Sequence, residues 1–257
     1  MIEVKNLAKN YGNKQALTGI SFEIRKGEIC GYIGPNGAGK STTVKILTGI
    51  LKPDAGEVAI AGIDVGQNPE RVKPLIGYVP ETGGVFESLS GREFLAFAGR
   101  LYGLREDVIR ERSELLLEYF GLLGSADNFM TTYSKGMKQK VVLSTAVLHS
   151  PEVFLFDEPL DGLDAHATVL FKELIHHLAL RGRTVLYCSH LLDIVERVCH
   201  RMIILRNGSI VGQGSIGELR DLTNQDTLEE AFSILTESED AEEKTERLLN
   251  NLDAVTV

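Results

Sequence analysis

Three observations predict an α/β fold. Apolar segments at residues 153–156 and 184–188 flank a helical stretch at 165–180, a strand-helix-strand rhythm that implies a parallel sheet. Another apolar segment, residues 28–33, runs straight into a glycine cluster and then a short helical pattern. Between about 86 and 150 the pattern is helical throughout, so an all-helical insert interrupts the sheet-forming core. A chain of 257 residues is long enough for one large unit of this kind.

The elements follow in order. Ile2 and Val4, then Ile20, Phe22 and Ile24, alternate with polar residues and are separated by Gly12, Asn13 and Gly27, which reads as an N-terminal set of strands with one buried face. After the glycine cluster, Val44, Ile46, Leu47 and Leu51 make a short buried helix that stops at Pro53. A further strand pair is expected at 58–60 and 76–79. In the insert, Ser90 and Glu93 have capping-box spacing, and Phe94, Leu95, Phe97, Ala98, Leu101 and Tyr102 form an apolar face closed by Gly103. A second helix carries Leu115, Leu116, Leu117 and Tyr119 to Gly121. Residues 202–205 and 209–212 flank Asn207-Gly208 as a hairpin.

Charge divides the chain at about residue 220. Residues 221–257 hold 11 acids against Lys244 and Arg247, which accounts for the whole net charge of -9. Residues 1–220 are neutral, with no basic stripe of the kind nucleic-acid binding needs, so nucleic acid is not an expected partner. Within the acidic tail Leu228, Ala231, Phe232 and Leu235 fall at i, i+3, i+4 and i+7 and give one apolar helical stripe, that of a helix packed on its own core or, as the alternative, of a partner-binding helix. Leu248, Leu249 and Leu252 offer a second such stripe. Cys30, Cys188 and Cys199 are odd in number and far apart, which fits small core residues in a reducing compartment better than a disulfide framework or a zinc site. No run approaches the length of a membrane span, and Glu3, Lys5 and Lys9 do not suit a cleaved signal.

The strongest motif is Gly34-Pro35-Asn36-Gly37-Ala38-Gly39-Lys40-Ser41, followed by Thr42, which fits the phosphate-loop pattern between a strand and a helix. Glycines at 34, 37 and 39 let backbone N–H groups wrap a phosphate closely, and the helix N-terminus adds its positive end. Lys40 supplies charge for the β- and γ-phosphates, and the Ser41 hydroxyl suits Mg²⁺. The partner half of such a site is a carboxylate at the end of a buried parallel strand, which Asp157 and Glu158 supply after residues 153–156. Asp157 would hold Mg²⁺ through its water shell, and Glu158 would polarise the attacking water.

Tyr133-Ser134-Lys135-Gly136-Met137 resembles the L-S-G-G-Q signature of ABC ATPases, standing 94 residues after Lys40 and 23 before Asp157. The run from Asp157 to Asp164 is similar to that family's Walker B and D-loop, and Ser189-His190 to its H-loop. The resemblance covers about residues 1–215, with the family's motifs in order. It implies a P-loop NTPase (RecA-like) core, with an N-terminal antiparallel β subdomain and an inserted helical signature subdomain, in a domain spanning 1–220. Carried over residue by residue, Tyr11 stacks on adenine, although a tyrosine at a strand end also suits a core position. Ser134 and Gly136 cap the γ-phosphate of an ATP held by a second subunit, Asp164 belongs to the D-loop at that junction, and His190 reaches the γ-phosphate and braces Glu158.

Two departures stand out. Glu81 occupies the Q-loop position where most of the family has glutamine, beside the γ-phosphate and its Mg²⁺, and Lys135 and Met137 replace Gly and Gln in the signature. Both resemble the branch of bacterial exporter ATPases that serves drug and sodium efflux. The resemblance thus implies an ATP- and Mg²⁺-dependent ATPase that dimerises with a second ATPase subunit. It would work on the cytoplasmic face of the membrane through a separate permease. A soluble ABC-type ATPase of ribosome, cluster-assembly or DNA-repair function is the alternative. A small-molecule kinase leaves the signature and His190 unexplained.

Overall fold

The computed structural model describes residues 1–82 and 84–236, with Thr245, Leu248, Leu249 and Asn251. Glu237, Glu239, Asp240, Glu242, Glu243, Lys244, Glu246, Arg247 and Asp253 of the acidic tail, and Leu252 of its second apolar stripe, lie outside the described residues. Leu248 and Leu249 are exposed.

Long alternating strands β1 (Ile2–Tyr11) and β2 (Lys14–Ile24) pair antiparallel through the turn at Gly12-Asn13. The chain then enters β3 (Ile29–Ile33), buried at every position. After the glycine cluster come α1 (Lys40–Leu47), β4 (Ala55–Ile60), the short β5 (Ile63–Asp64), α2 (Pro69–Val72) and β6 (Ile76–Val79). The helical insert holds α3 (Gly91–Leu101), α4 (Glu106–Tyr119) and α5 (Lys135–Leu148). The core resumes with β7 (Val153–Asp157), α6 (Ala165–Leu180), β8 (Thr184–Cys188), α7 (Leu192–Val198), β9 (Arg201–Arg206) and β10 (Ser209–Gly214), and ends with α8 (Ile216–Thr223) and α9 (Leu228–Thr236).

Two sheets result. One is antiparallel, in the order β2-β1-β4-β5; the other runs β10-β9-β3-β8-β7-β6, parallel except for β10. The segments at 58–60 and 76–79, expected as a pair, therefore part company: β4 pairs with β1, whereas β6 joins the parallel sheet beside β7. The strands β3, β7 and β8 are buried on both faces, as a sheet covered by helices requires. One apolar cluster lies beneath the helical insert and α6, and a second between the parallel sheet and the antiparallel subdomain.

Local sequence explains the helix ends. Ser90 and Glu93 form the full reciprocal capping box at α3, as expected. Ser215 and Glu218 form another at α8, a helix with no counterpart in the sequence reading. In α9, Leu228 and Ala231 are buried against the core, with Phe232 and Leu235 partly buried beside them, so this helix of the tail packs on its own domain as its stripe requires. No helix among the described residues is long and apolar enough to cross a membrane.

Candidate active site

Parallel strands end on the same edge of a sheet, which brings the loops after β3, β6, β7 and β8 together. These loops carry residues 34–39, Glu81, Glu158 and His190. Ligands of open α/β sheets bind at such an edge.

The loop after β3 is tightly wound. Gly39 sits at φ 113 with the space for a Cβ only 2.7 Å from the Ala16 carbonyl oxygen, and a Cβ at Gly34 would lie 2.3 Å from the Leu205 carbonyl oxygen. Side chains are excluded at both places, so the loop packs closely onto β2 and β9. The first turn of α1 is pinned from beneath, since Tyr32 Oη donates to Thr43 Oγ1 at 2.9 Å and Thr43 Oγ1 donates to the Gly39 carbonyl at 3.0 Å. Lys40 is buried and its ammonium donates to the carbonyls of Gly34 and Pro35 at 2.6 and 3.2 Å. It thus fills the cradle that a phosphate would take.

Tyr11, Asn36, Gly37, Gly39, Lys40, Ser41, Thr42, Glu81, Asp157 and Glu158, with Lys14 and Ala16, line one cavity of about 440 Å³. Tyr11 is 49% exposed, so its ring stands at the rim rather than in the core. An adjoining cavity of about 500 Å³ is shared by Gly34, Pro35, Asn36, Glu81, Glu158, Asp161, Ser189 and His190. The buried Ala38 lines neither.

The two acids after β7 have different surroundings. Asp157 is 2% exposed, and burial pushes its carboxyl up to about 6; a bond from Ser41 opposes the shift, while the charges of Glu81 and Glu158 add to it. Its Oδ1 is buried without a hydrogen-bond partner. Glu158 adopts a left-handed backbone at φ 49, rare for a residue with a Cβ, and its N–H bonds the Cys188 carbonyl at 3.0 Å. Its Oε2 lies 2.9 Å from His190 Nδ1 and accepts from Ser189 Oγ at 3.3 Å. The strained backbone thus turns the carboxylate into the cavity, and the loop after β8 holds it there. Ser189, itself fixed by accepting from the Leu191 N–H at 3.1 Å, has no signal in the sequence beyond preceding His190.

These residues suit a hard divalent cation. Asp157 brings an orphaned buried oxygen, and Ser41 Oγ lies 3.3 Å from Glu81 Oε2. Among the described residues no cluster of three His, Cys, Asp or Glu side chains could hold a metal unaided, so the remaining ligands would be phosphate oxygens and water, the usual arrangement for Mg²⁺.

Beyond the phosphate loop, three expected site residues stand apart from both cavities. Ser134 caps α5 by accepting from the Met137 N–H at 3.2 Å, and Gly136 packs on the backbone of Gly162. Asp164 caps α6 by accepting from the Ala167 N–H at 2.7 Å and pairs with Lys140 at 2.9 Å.

A further groove, about 760 Å³, lies between the helical insert and the core, next to the loop that carries Glu81. Its walls include Ile50, Tyr78, Phe86, Phe97, Leu101 and Tyr102. Ile50, Phe86, Phe97 and Leu101 are exposed, Leu101 at 72%. Of the apolar face expected on α3, only Leu95 and Ala98 are buried, and Phe97 and Leu101 are left exposed because the face is wider than the core needs.

Known proteins share this architecture. The family model for ABC transporters matches residues 17–161. The linearmycin resistance ATP-binding protein LnrL of Bacillus subtilis (strain 168) is 36% identical over 228 residues, covering 89% of this chain and 73% of that protein. The Nod factor export ATP-binding protein I of Rhizobium sp. (strain N33) is 36% identical over 214 residues, covering 83% and 70%. A solved structure of an ATP-binding subunit of an ABC transporter superposes with a TM-score of 0.87 at 34% identity, covering 91% of this chain and 99% of that one. With its phosphate loop, paired acids and strand-end histidine on one sheet edge, the chain belongs to the ABC transporter family, as an ATP-binding subunit with ATPase activity.

Proposed function

We propose that this chain powers export through a separate membrane permease, by closing with a second ATPase subunit, identical or homologous, over ATP and Mg²⁺. The observation that carries the permease reading is the apolar groove beside Glu81. The adjoining exposed side chains of Phe86, Phe97 and Leu101 support a docking surface, and its shape between two subdomains suits one amphipathic helix of a membrane partner. Its position next to Glu81 lets movement of that helix reach the nucleotide. Export is supported by the relatives named for resistance and for Nod factor export, together with Glu81 and Lys135.

Within the site, Tyr11 stacks on adenine at the rim, and Lys40 leaves the loop carbonyls for the phosphates. Ser41, Asp157 and Glu81 would hold Mg²⁺, which when bound offsets charge on the β- and γ-phosphates. Glu158, held at Oε2 by His190 and Ser189, keeps Oε1 free to take a proton from the attacking water. Asp157 and Glu158 thereby divide cation holding from base work. Ser134 and Gly136 lie away from this chain's own cavities, which supports their capping the γ-phosphate held by a second subunit, with the helix N-terminus of α5 facing the anion. Two subunits would then complete two sites. Closure would move the grooves, and hydrolysis would reset them on the cytoplasmic face of the membrane.

Tagging the chain at native expression, solubilising membranes in mild detergent and identifying what co-purifies tests this reading. A polytopic membrane protein retained in stoichiometric amount through a salt wash is the expected result. Recovery only from the soluble fraction, with ribosomes, assembly factors or DNA, would overturn it.

A further inference from the structure

The first two turns of α5 grip the D-loop of the same chain. Lys135 Nζ lies 2.6 Å from Asp161 Oδ2, Lys140 Nζ 2.9 Å from Asp164 Oδ2, and Gln139 Nε2 donates to the Pro159 carbonyl at 2.9 Å. Between these bonds the two backbones touch: a Cβ at Gly136 would lie 2.5 Å from the Gly162 carbonyl oxygen. The aliphatic stem of Lys135 crosses the α-carbon of Gly162, with its Cγ 3.0 Å from where a Cβ would be. Lys135 thus makes both a charged and a packing contact with the loop, from the position where the family signature has a glycine.

The loop it grips reaches the other end of the machinery. Asp161 lines the cavity that Glu158 and His190 share. Signature helix and loop therefore form one block, with Ser134 at one end and the hydrolytic cavity at the other.

We propose that Lys135 is a positioning residue that ties the signature to Asp161, so that capping of a partner's ATP by Ser134 is transmitted to the Glu158–His190 cavity of the same subunit. The inference rests on the dimer reading given above. It makes the two ATP sites cooperative. In the single chain the paired side chains are 71% and 56% exposed, so there the link is modest and sensitive to salt.

The test is the ATPase rate of the full chain against ATP concentration at low and high salt. Wild type should show a Hill coefficient above 1 that declines at high salt. Lys135→Met should lower kcat roughly two- to five-fold at low salt with little change in KM, and bring the Hill coefficient to about 1. Lys135→Arg, which keeps the charge and the stem, should retain wild-type behaviour. Asp161→Asn should match Lys135→Met, and the double variant should lose no more than either single one. A wild-type Hill coefficient of about 1, a Lys135→Met enzyme with unchanged kcat and cooperativity, or multiplying losses in the double variant would overturn the proposal. Failure of the dimer reading is seen separately, as a Glu158→Gln chain that stays monomeric on sizing with ATP, and removes the proposal with it. A dimer that forms while Lys135→Met is silent overturns the proposal alone.

Discussion

Replacing Asp157 by asparagine should make the nucleotide-free protein more stable while disabling it. The carboxyl is 2% exposed and pushed up to about 6 from an ordinary 3.8, chiefly by burial. A shift of about 2 units corresponds to ~3 kcal/mol of differential interaction between its two protonation states. The sign follows from linkage: a folded value above the unfolded one means that the native state binds the proton more tightly, so stability is full below about 4 and is lost as pH rises through about 6. Above that range the buried charge is a standing cost, which an uncharged isostere removes. Asparagine leaves an unpartnered N–H group where Oδ1 was, which offsets about 1 kcal/mol or more of the gain. The net expectation at pH 8 is about 1–2 kcal/mol, or roughly 2–8 °C in Tm for a chain of this size. The assay is thermal unfolding in chelator without nucleotide. The charge contribution should fall to roughly half at pH 5 and a fifth at pH 4, because the wild-type carboxyl is then increasingly protonated in both states. ATP with Mg²⁺ should reverse the order, stabilising wild type more than the variant. A variant no more stable than wild type at pH 8, or a gain that does not vary with pH, would refute the electrostatic reasoning.

Further outcomes follow from other parts of the site. By analogy with base stacking on aromatic side chains, worth ~1–3 kcal/mol, Tyr11→Ala should weaken ATP binding by roughly five-fold to a hundred-fold. Nucleotide titration with unchanged affinity would remove Tyr11 from the site. Leu101→Glu places a charge in the apolar groove at a position 72% exposed, so folding and ATP affinity should persist while co-purification of the permease is lost. Retained co-purification would show that the permease docks elsewhere. Gly39→Ala forces a Cβ to within 2.7 Å of the Ala16 carbonyl at φ 113 and should abolish detectable ATP binding. Wild-type affinity in a nucleotide titration would mean that the loop has another way to close.

Much of this was legible in the sequence because a strand-end motif has few places to go. Residues 34–41 between an apolar strand and a helix, and Asp157 at the end of an apolar run, fix both halves of the candidate site once the strands are parallel. Other features depend on contacts between segments far apart in sequence. The left-handed turn at Glu158 and the grip of Ser189 and His190 on its carboxylate arise only when β7 and β8 lie side by side. Phe97 and Leu101 satisfy helical periodicity as well as buried residues do; which side meets core and which meets solvent is decided by the width of α3 that its neighbours cover. Lys135 and Met137 read as departures from a family pattern, and only the fold shows Lys135 on Asp161 and Met137 against the core. The capping box at Ser215 and Glu218 was present in the sequence, but no apolar run after it was long enough to mark α8.

Activation of water by Glu158, in a site completed by a second subunit, is tested most directly with the Glu158→Gln chain, assayed for turnover and for mass in solution with ATP and Mg²⁺. The variant keeps the shape of the side chain and its place beside His190 but cannot take the proton, so turnover should drop by about 10²- to 10⁴-fold while an ATP-bound dimer accumulates. Wild-type turnover, or a monomer with ATP bound, would contradict the account.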